Sequence, residues 1–194
     1  MTGRFADAVT LAATLHAGDV RKGTTIPYIA HLLGVCSMVL ADGGDEDEAI
    51  AALLHDALED HGDQVTAEEL DRRYGSRVAA LVVGCSDTPA GFAGGVKPPW
   101  RQRKEDYLAH VRASSPDDLR VSLADKLYNA RAILADLGIT GGSVWSRFTA
   151  GRDGQLWYYR ALVDAFRVSG LSGRMFDEFV LVVTAIEAEA AIGT

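Results

Sequence analysis

An almost wholly α-helical fold, folded as a compact multi-helix bundle, is what this sequence predicts. Aliphatic residues recur at helical spacing nearly throughout, as in Phe5, Val9, Ala12, Ala13 and again in Leu33, Val35, Met38, Val39. Alternating runs of β-branched residues are scarce, and clusters of glycine, proline and small polar residues cut the chain into pieces of helix length.

The elements follow in order from those cuts. The first helix, about 4–17, carries the Phe5 stripe and stops at the break Gly18 to Pro27. The second, about 30–41, carries the Leu33 stripe and ends at Asp42 to Asp45, and a third, about 46–59, runs to the break His61 to Val65. Helices at about 66–73 and 76–86 come next, before the longest irregular stretch, Thr88 to Trp100, which is rich in glycine and proline. Long ordered loops in compact domains are often functional, and this one leads into the basic cluster Lys97, Arg101, Arg103 and Lys104. A helix at about 101–113 stops at Ser114 to Pro116, one at about 117–137 stops at Gly138 to Gly142, and helices at about 153–168 and 173–191 complete the chain, with no internal repeat.

At 194 residues the chain is expected to form a single domain, 1–194, able to bury a core without staples. A composition of 48% hydrophobic and 24% charged residues with five prolines is that of a packed globular protein. The net charge of −8 argues against a broad electrostatic grip on nucleic acid or on an anionic membrane, so the positive contacts for any anionic ligand must be local. Met1 to Asp7 has no signal-peptide pattern and no later run is apolar enough to span a bilayer, so the expected location is the cytoplasm. Cys36 and Cys85 lack a Cys-x-x-Cys spacing and are read as buried small hydrophobes. The oligomeric state is left open, a homo-oligomer included.

The chemistry concentrates in Leu53-Leu54-His55-Asp56-Ala57-Leu58-Glu59-Asp60-His61, where acidic residues and a histidine interrupt an apolar helix. Helical spacing would stack His55 on Glu59 and Asp56 on Asp60. Adjacent carboxylates at a buried helix end repel, and a divalent cation removes that cost more completely than one basic side chain. Further ligands are expected from His31, which opens a helix after Pro27-Tyr28-Ile29-Ala30, and from Asp125, a carboxylate inside an apolar helix. Two imidazoles and two carboxylates suit manganese, iron, zinc or another borderline cation, with positions left for water and substrate.

At these residues the sequence resembles the HD superfamily, and more narrowly the hydrolase domain of the RelA/SpoT proteins and the stand-alone small alarmone hydrolases. The resemblance rests on Arg21-Lys22-Gly23, on Pro27-Tyr28-Ile29-x-His31, on His55-Asp56-x-x-Glu59-Asp60 and on Ala124-Asp125-Lys126-Leu127-x-Asn129, and it covers roughly residues 5–165. It implies an HD-domain bundle and one manganese ion on His31, His55, Asp56 and Asp125. It also implies a Glu59–Asp60 pair that activates the attacking water, with Arg21, Lys22 and Asn129 at the substrate. The implied activity is removal of the 3′-pyrophosphate from ppGpp and pppGpp, giving GDP or GTP. The alternative is a phosphohydrolase of the same scaffold acting on a nucleoside monophosphate or a dinucleotide phosphate. A chain ending near Thr194 leaves no room for the synthetase domain of the bifunctional members, so degradation alone is expected. Gly154 to Arg160 fits stand-alone bacterial members better than the animal ones.

The charge on phosphoryl oxygens calls for nearby cations, and Arg21, Lys22, Lys97, Arg101, Arg103 and Lys104 are the local supply. Trp157, Tyr158 and Tyr159 are read as core packing before base stacking. His16, on an exposed or satisfied helix face, His61, in a loop, and His110 are read as ordinary histidines without ligand roles.

Overall fold

The computed structural model describes residues 1–87 and 98–192. The described elements are α1 (Gly3–Leu15), α2 (Ile29–Ala41), α3 (Glu46–Leu54), α4 (Ala57–Asp60), α5 (Ala67–Tyr74), α6 (Ser76–Cys85), α7 (Trp100–Ala113), α8 (Arg120–Thr140), α9 (Gly151–Val168) and α10 (Arg174–Ile192). Short 3₁₀ segments cover Pro116–Asp118 and Gly141–Arg147. Among the described residues the only extended pairing is the isolated antiparallel bridge between Val20 and Pro27. The all-α expectation therefore holds, and most helix ends fall within three residues of their expected places.

One boundary differs in a way that matters. The expected helix 46–59 is not continuous: α3 stops at Leu54, His55 and Asp56 form a turn, and α4 begins afresh at Ala57. The Glu59 amide bonds to the Asp56 carbonyl at 3.1 Å, so the turn is tighter than the ladder that would have stacked Glu59 on His55. Asp60 still bonds back to Asp56, amide to carbonyl, at 2.9 Å.

Helix α3 lies at the centre. Asp45 caps it in a reciprocal capping box with Glu48, and every residue from Ala49 to Leu54 is buried, so no face is left for solvent. Helices α1, α2, α6 and α8 pack around it, and α10 closes over α8 on the far side, with Phe179 set between Tyr159 and Phe166. The Glu48 carboxylate, buried at the start of α3, accepts from Arg120 Nη1 at 2.6 Å and ties α3 to the first residue of α8. Cys36 and Cys85 are buried and unpaired, as expected from their apolar surroundings. No helix among the described residues is long and apolar enough to cross a membrane.

Helices α2 and α8 cross unusually closely at Gly34. A Cβ there would stand 2.1 Å from Tyr128 Cε2, so only glycine lets the two helices meet with Tyr128 in place. Gly34 lies three residues after His31 and Tyr128 three after Asp125, so this contact sets the distance between those two side chains. Helix propensity alone would make Gly34→Ala stabilising by up to about 1 kcal/mol. The clash reverses the sign: we expect the variant to be less stable by about 1–3 kcal/mol, with Tm lowered by about 2–10 °C in a thermal melt. A raised Tm would show that Tyr128 moves aside at no cost.

Candidate active site

Three helices deliver ligand-type side chains to one buried point. His31 comes from the first turn of α2, His55 and Asp56 from the turn that ends α3, and Asp125 from α8. The Nε2 atoms of His31 and His55 face each other at 3.3 Å. Asp125 Oδ1 lies 3.2 Å from His31 Nε2 and 3.5 Å from His55 Nε2, while Asp56 Oδ2 lies 3.7 Å and 2.8 Å from the same two atoms. The residues expected to gather from three parts of the chain do gather.

Local structure explains the aim of each. The loop after α1 closes on itself through the Val20–Pro27 bridge, with amide bonds from Arg21 to Ile26 O and from Tyr28 to Asp19 O, each 2.9 Å. That closure seats Tyr28 at the start of α2 and turns His31 inward, its ring between Tyr28 and Tyr128. Gly23 sits at the loop tip with φ +73°, a left-handed conformation that favours glycine, and its open flank is filled by the Arg147 side chain. His55 Nδ1 lies 2.9 Å from the Ala52 carbonyl, which accepts its proton, so in the neutral ring Nε2 is the lone-pair atom facing the cluster.

The carboxylates are held as firmly as the imidazoles. Tyr28 donates its hydroxyl to Asp56 Oδ2 at 2.6 Å. Lys126 donates to Asp125 Oδ2 at 2.6 Å, and the Asn129 amide donates to Asp125 Oδ1 at 2.6 Å. Arg21 in turn donates to Asn129 Oδ1 at 2.8 Å, so Arg21, Asn129 and Asp125 form a chain. Asn129, expected at the substrate, thus spends both ends of its amide on orienting Asp125 and Arg21.

Electrostatics give the cluster its character. Burial disfavours the His55 imidazolium, yet Asp56 and Asp125 overcome it and hold its pKa well above the ordinary histidine value. Burial would push the Asp125 carboxyl up, but Lys126 and the two histidines hold it well below the usual carboxylate range, and Asp56 is depressed by His55 and His31 against the same burial cost. Two buried imidazole nitrogens pointing at each other between two ionised carboxylates require a positive charge, as protons or as a cation. The mixed N/O donor set fits a divalent transition metal.

Beside the cluster opens a cavity of about 560 Å³, and Tyr28, Lys126 and Asn129 belong both to its wall and to the contacts just described. Its cations are Arg21, Lys22, Lys104, Lys126 and Arg147, and its aromatic surfaces include Trp100, Phe148, Tyr158 and Tyr159. Arg21, Lys22 and Lys104 were expected at substrate; Lys126 and Arg147 were not, because α8 and the 3₁₀ segment reach the cavity only through the fold. Tyr158 and Tyr159 line it although they were read as core, whereas Trp157 packs under Arg101, whose guanidinium lies 3.2 Å from the ring centre.

Arg101 and Arg103 are not brought into this cavity. Arg101 pairs with Glu105 at 2.7 Å, and Arg103 with the buried carboxylate of Asp87 at 2.5 Å, so the basic run is partly consumed by neighbouring acids. Lys104 also pairs with Asp87, while itself lining the cavity. Lys97 and the stretch 88–97 lie outside the described residues. Glu59 is half-buried in α4 and its charge acts on Lys104; Asp60 is exposed and its charge acts on Tyr28. Both acids have interaction partners of their own.

His16 is buried with its Nδ1 satisfied by Asp19, and His61 directly follows α4, as expected; the two converge on Asp19 to form a second cluster of ligand-type atoms. The sequence hides this because the residues lie on either side of the first cluster's motifs.

The chain is similar to known proteins over most of its length. Residues 8–156 match the family described as HD domain. The guanosine-3′,5′-bis(diphosphate) 3′-pyrophosphohydrolase MESH1 of Xenopus tropicalis is 36% identical over 128 residues, 64% of this chain and 66% of its own, so the match spans about two thirds of that relative. A guanosine-3′,5′-bis(diphosphate) 3′-pyrophosphohydrolase of Aquifex aeolicus is 36% identical over 118 residues, 60% of this chain but 16% of its own. Among solved structures, one described as a metazoan ortholog of SpoT that hydrolyses ppGpp superposes with a TM-score of 0.75 at 25% identity, covering 95% of this chain and 96% of that one. The protein lmo0812 of Listeria monocytogenes EGD-e superposes with a TM-score of 0.69 at 29% identity over 80% of this chain and 97% of its own.

Proposed function

The chain belongs to the HD-domain family, and from that premise we propose that it is a metal-dependent phosphohydrolase that removes the 3′-pyrophosphate of ppGpp and pppGpp. The observation that carries this reading is the facing pair His31 Nε2 and His55 Nε2, 3.3 Å apart between Asp56 and Asp125, on the wall of a cavity lined by cations and aromatic rings. The relatives named for hydrolysing this nucleotide supply the substrate.

His31, His55, Asp56 and Asp125 would hold the cation, with manganese our choice. Bound there, it supplies Lewis acidity, offsetting phosphoryl charge and bringing the pKa of water from about 15.7 toward about 7. Glu59 takes the proton of the attacking water, and Asp60 orders that water. Arg21, Lys22, Lys104 and Arg147 hold phosphate oxygens along the cavity, a local positive surface on a chain of net charge −8. Tyr158, Tyr159 and Trp100 offer faces against which a purine can lie. Asn129 and Lys126 fix Asp125, and Tyr28 fixes Asp56, so each carboxylate meets the cation in one orientation. The reaction takes place in the cytoplasm on free nucleotide. Incubating the purified chain with ppGpp and Mn²⁺ should release pyrophosphate and GDP. Release of orthophosphate, or turnover only of nucleoside monophosphates and dinucleotide phosphates, would overturn the substrate.

The His55 environment gives a further expectation. With its pKa raised by Asp56 and Asp125, metal-free His55 holds its proton to higher pH than an ordinary histidine, and ligation requires it neutral. Loading Mn²⁺ near pH 7 should therefore release a proton, so calorimetric titrations in two buffers of different ionisation enthalpy should give different heats; equal heats would contradict the assignment. Signs for the metal-free fold follow. The raised His55 contributes stability below its unfolded pKa of about 6.5 that is lost as pH rises through its folded value. The depressed Asp56 and Asp125 contribute above about 4, and that stability is lost as pH falls through their lowered folded values.

A further inference from the structure

We propose that His16, Asp19 and His61 form a second metal site, separate from the His31 cluster and suited to Zn²⁺. His16 Nδ1 and His61 Nε2 each lie 2.8 Å from Asp19 Oδ2 and 3.3 Å from one another. Bonds of about 2.0–2.2 Å at tetrahedral to octahedral angles place neighbouring ligand atoms about 2.8–3.6 Å apart, so the three atoms already stand as one face of a coordination polyhedron. The spacing of the two imidazole nitrogens repeats the 3.3 Å between His31 and His55.

The surroundings fit a ligand set. His16 is buried to 3% exposure, and its Nε2 has no hydrogen-bond partner among the described residues, so Nδ1 is its one polar outlet and points at Asp19. The Gln64 amide lies 3.2 Å from His61 Nδ1. With its oxygen turned to the ring, it accepts from Nδ1–H and leaves Nε2 as the lone-pair atom, an orientation that heavy-atom positions do not distinguish from the other. The Asp19 side chain is 40% exposed, which gives an ion its entry path and leaves room for water in the remaining positions. Two neutral imidazoles and one carboxylate carry a single negative charge, and the Asp56 carboxylate adds its field at His16.

The cluster joins the end of α1 and the loop that carries Arg21 and Lys22 to the end of α4 directly after Asp60. His16 stacks on Tyr28 with ring centres 5.0 Å apart, and Tyr28 donates to Asp56. An ion here is a positioning ion: it fixes the loop and the ring that orient one carboxylate of the neighbouring cluster.

The test uses the whole chain, stripped of metal, reloaded with Zn²⁺ alone, desalted and assayed for bound zinc by elemental analysis. Wild type should retain two ions per chain. His61→Ala and the milder Asp19→Asn should each retain one, and so should Asp125→Asn, which alters only the other cluster; both sites changed together should retain none. The Asp19 side chain is 40% exposed and His61 is half-buried beyond the end of α4, so circular dichroism should report a folded chain in both variants. One ion in wild type that is lost in Asp125→Asn and kept in His61→Ala, or two in a folded His61→Ala, would overturn the second site and leave the function proposed for the first untouched. One ion in wild type that persists in Asp125→Asn and is lost in His61→Ala would support this site against the first.

Discussion

His55→Ala, or Asp125→Asn, is expected to abolish retention of the catalytic cation and release of pyrophosphate from ppGpp together. His55 contributes one of two nitrogens that face each other at 3.3 Å, and Asp125 Oδ1 reaches both. Losing either leaves a three-ligand remnant, and with it goes the Lewis acidity on which the water depends. The choice of variant matters because Asp125 also neutralises Lys126, a buried ammonium it holds above the ordinary lysine value against the cost of burial. Removing one member of such a pair costs about 3–5 kcal/mol. Asp125→Ala therefore tests stability and catalysis at once. His55→Ala opens a small cavity and takes a positive partner from Asp56 and Asp125, so it too tests the fold, and circular dichroism must show a folded chain before its fall in activity to background is assigned to the metal. Elemental analysis, circular dichroism and a pyrophosphate assay on one preparation would read the three properties. Activity retained without the metal would contradict the assignment.

The second large effect separates chemistry from binding. Glu59→Gln should keep the cation at the stoichiometry of wild type and lose about 10²- to 10⁴-fold in kcat, the usual worth of a positioned general base. Glu59 stands on α4, past the turn that carries His55 and Asp56, with its charge felt at Lys104 on the cavity wall. Glutamine preserves its shape and removes its basicity. KM for ppGpp should change far less than kcat. Loss of the metal in this variant as well would make Glu59 a ligand and undo the division of roles.

Much of this site could be read from residue order, because its chemistry is local to short motifs. His31 after Pro27-Tyr28, His55-Asp56 at the end of a buried helix and Asp125 inside an apolar one each break the hydrophobic pattern, and a polar group in such a place needs a partner. What the sequence left hidden depends on the fold. The interruption between Leu54 and Ala57 is invisible because Leu53 through Leu58 keeps a helical pattern, and only the structure shows Glu59 bonding back to Asp56. The basic run at Arg101 to Lys104 looked like a phosphate clamp, yet Asp87 and Glu105 engage its members, while the cavity draws Lys126 and Arg147 from distant elements. His16 and His61 are each unremarkable in sequence. They acquire meaning only when the loop returning from Val20 to Pro27 sets Asp19 between them.

The fold's division of labour is legible in its energetics. Helix α3 spends its surface on burial and delivers its polar residues only at its two ends, Glu48 to Arg120 and His55 with Asp56 to the cluster. Gly34 lets α8 approach α2 closely enough for Asp125 to meet His31. Scaffold and site are therefore specified by the same contacts, which is why a change as small as Gly34→Ala should register at both.

Diffraction from a Mn²⁺-soaked crystal, recorded where manganese scatters anomalously, tests the central claim most directly. The account predicts one strong peak within about 2.0–2.3 Å of His31 Nε2, His55 Nε2 and an oxygen from each of Asp56 and Asp125. An empty position there at saturating Mn²⁺, or an ion coordinated without Asp125 or without His31, would contradict it.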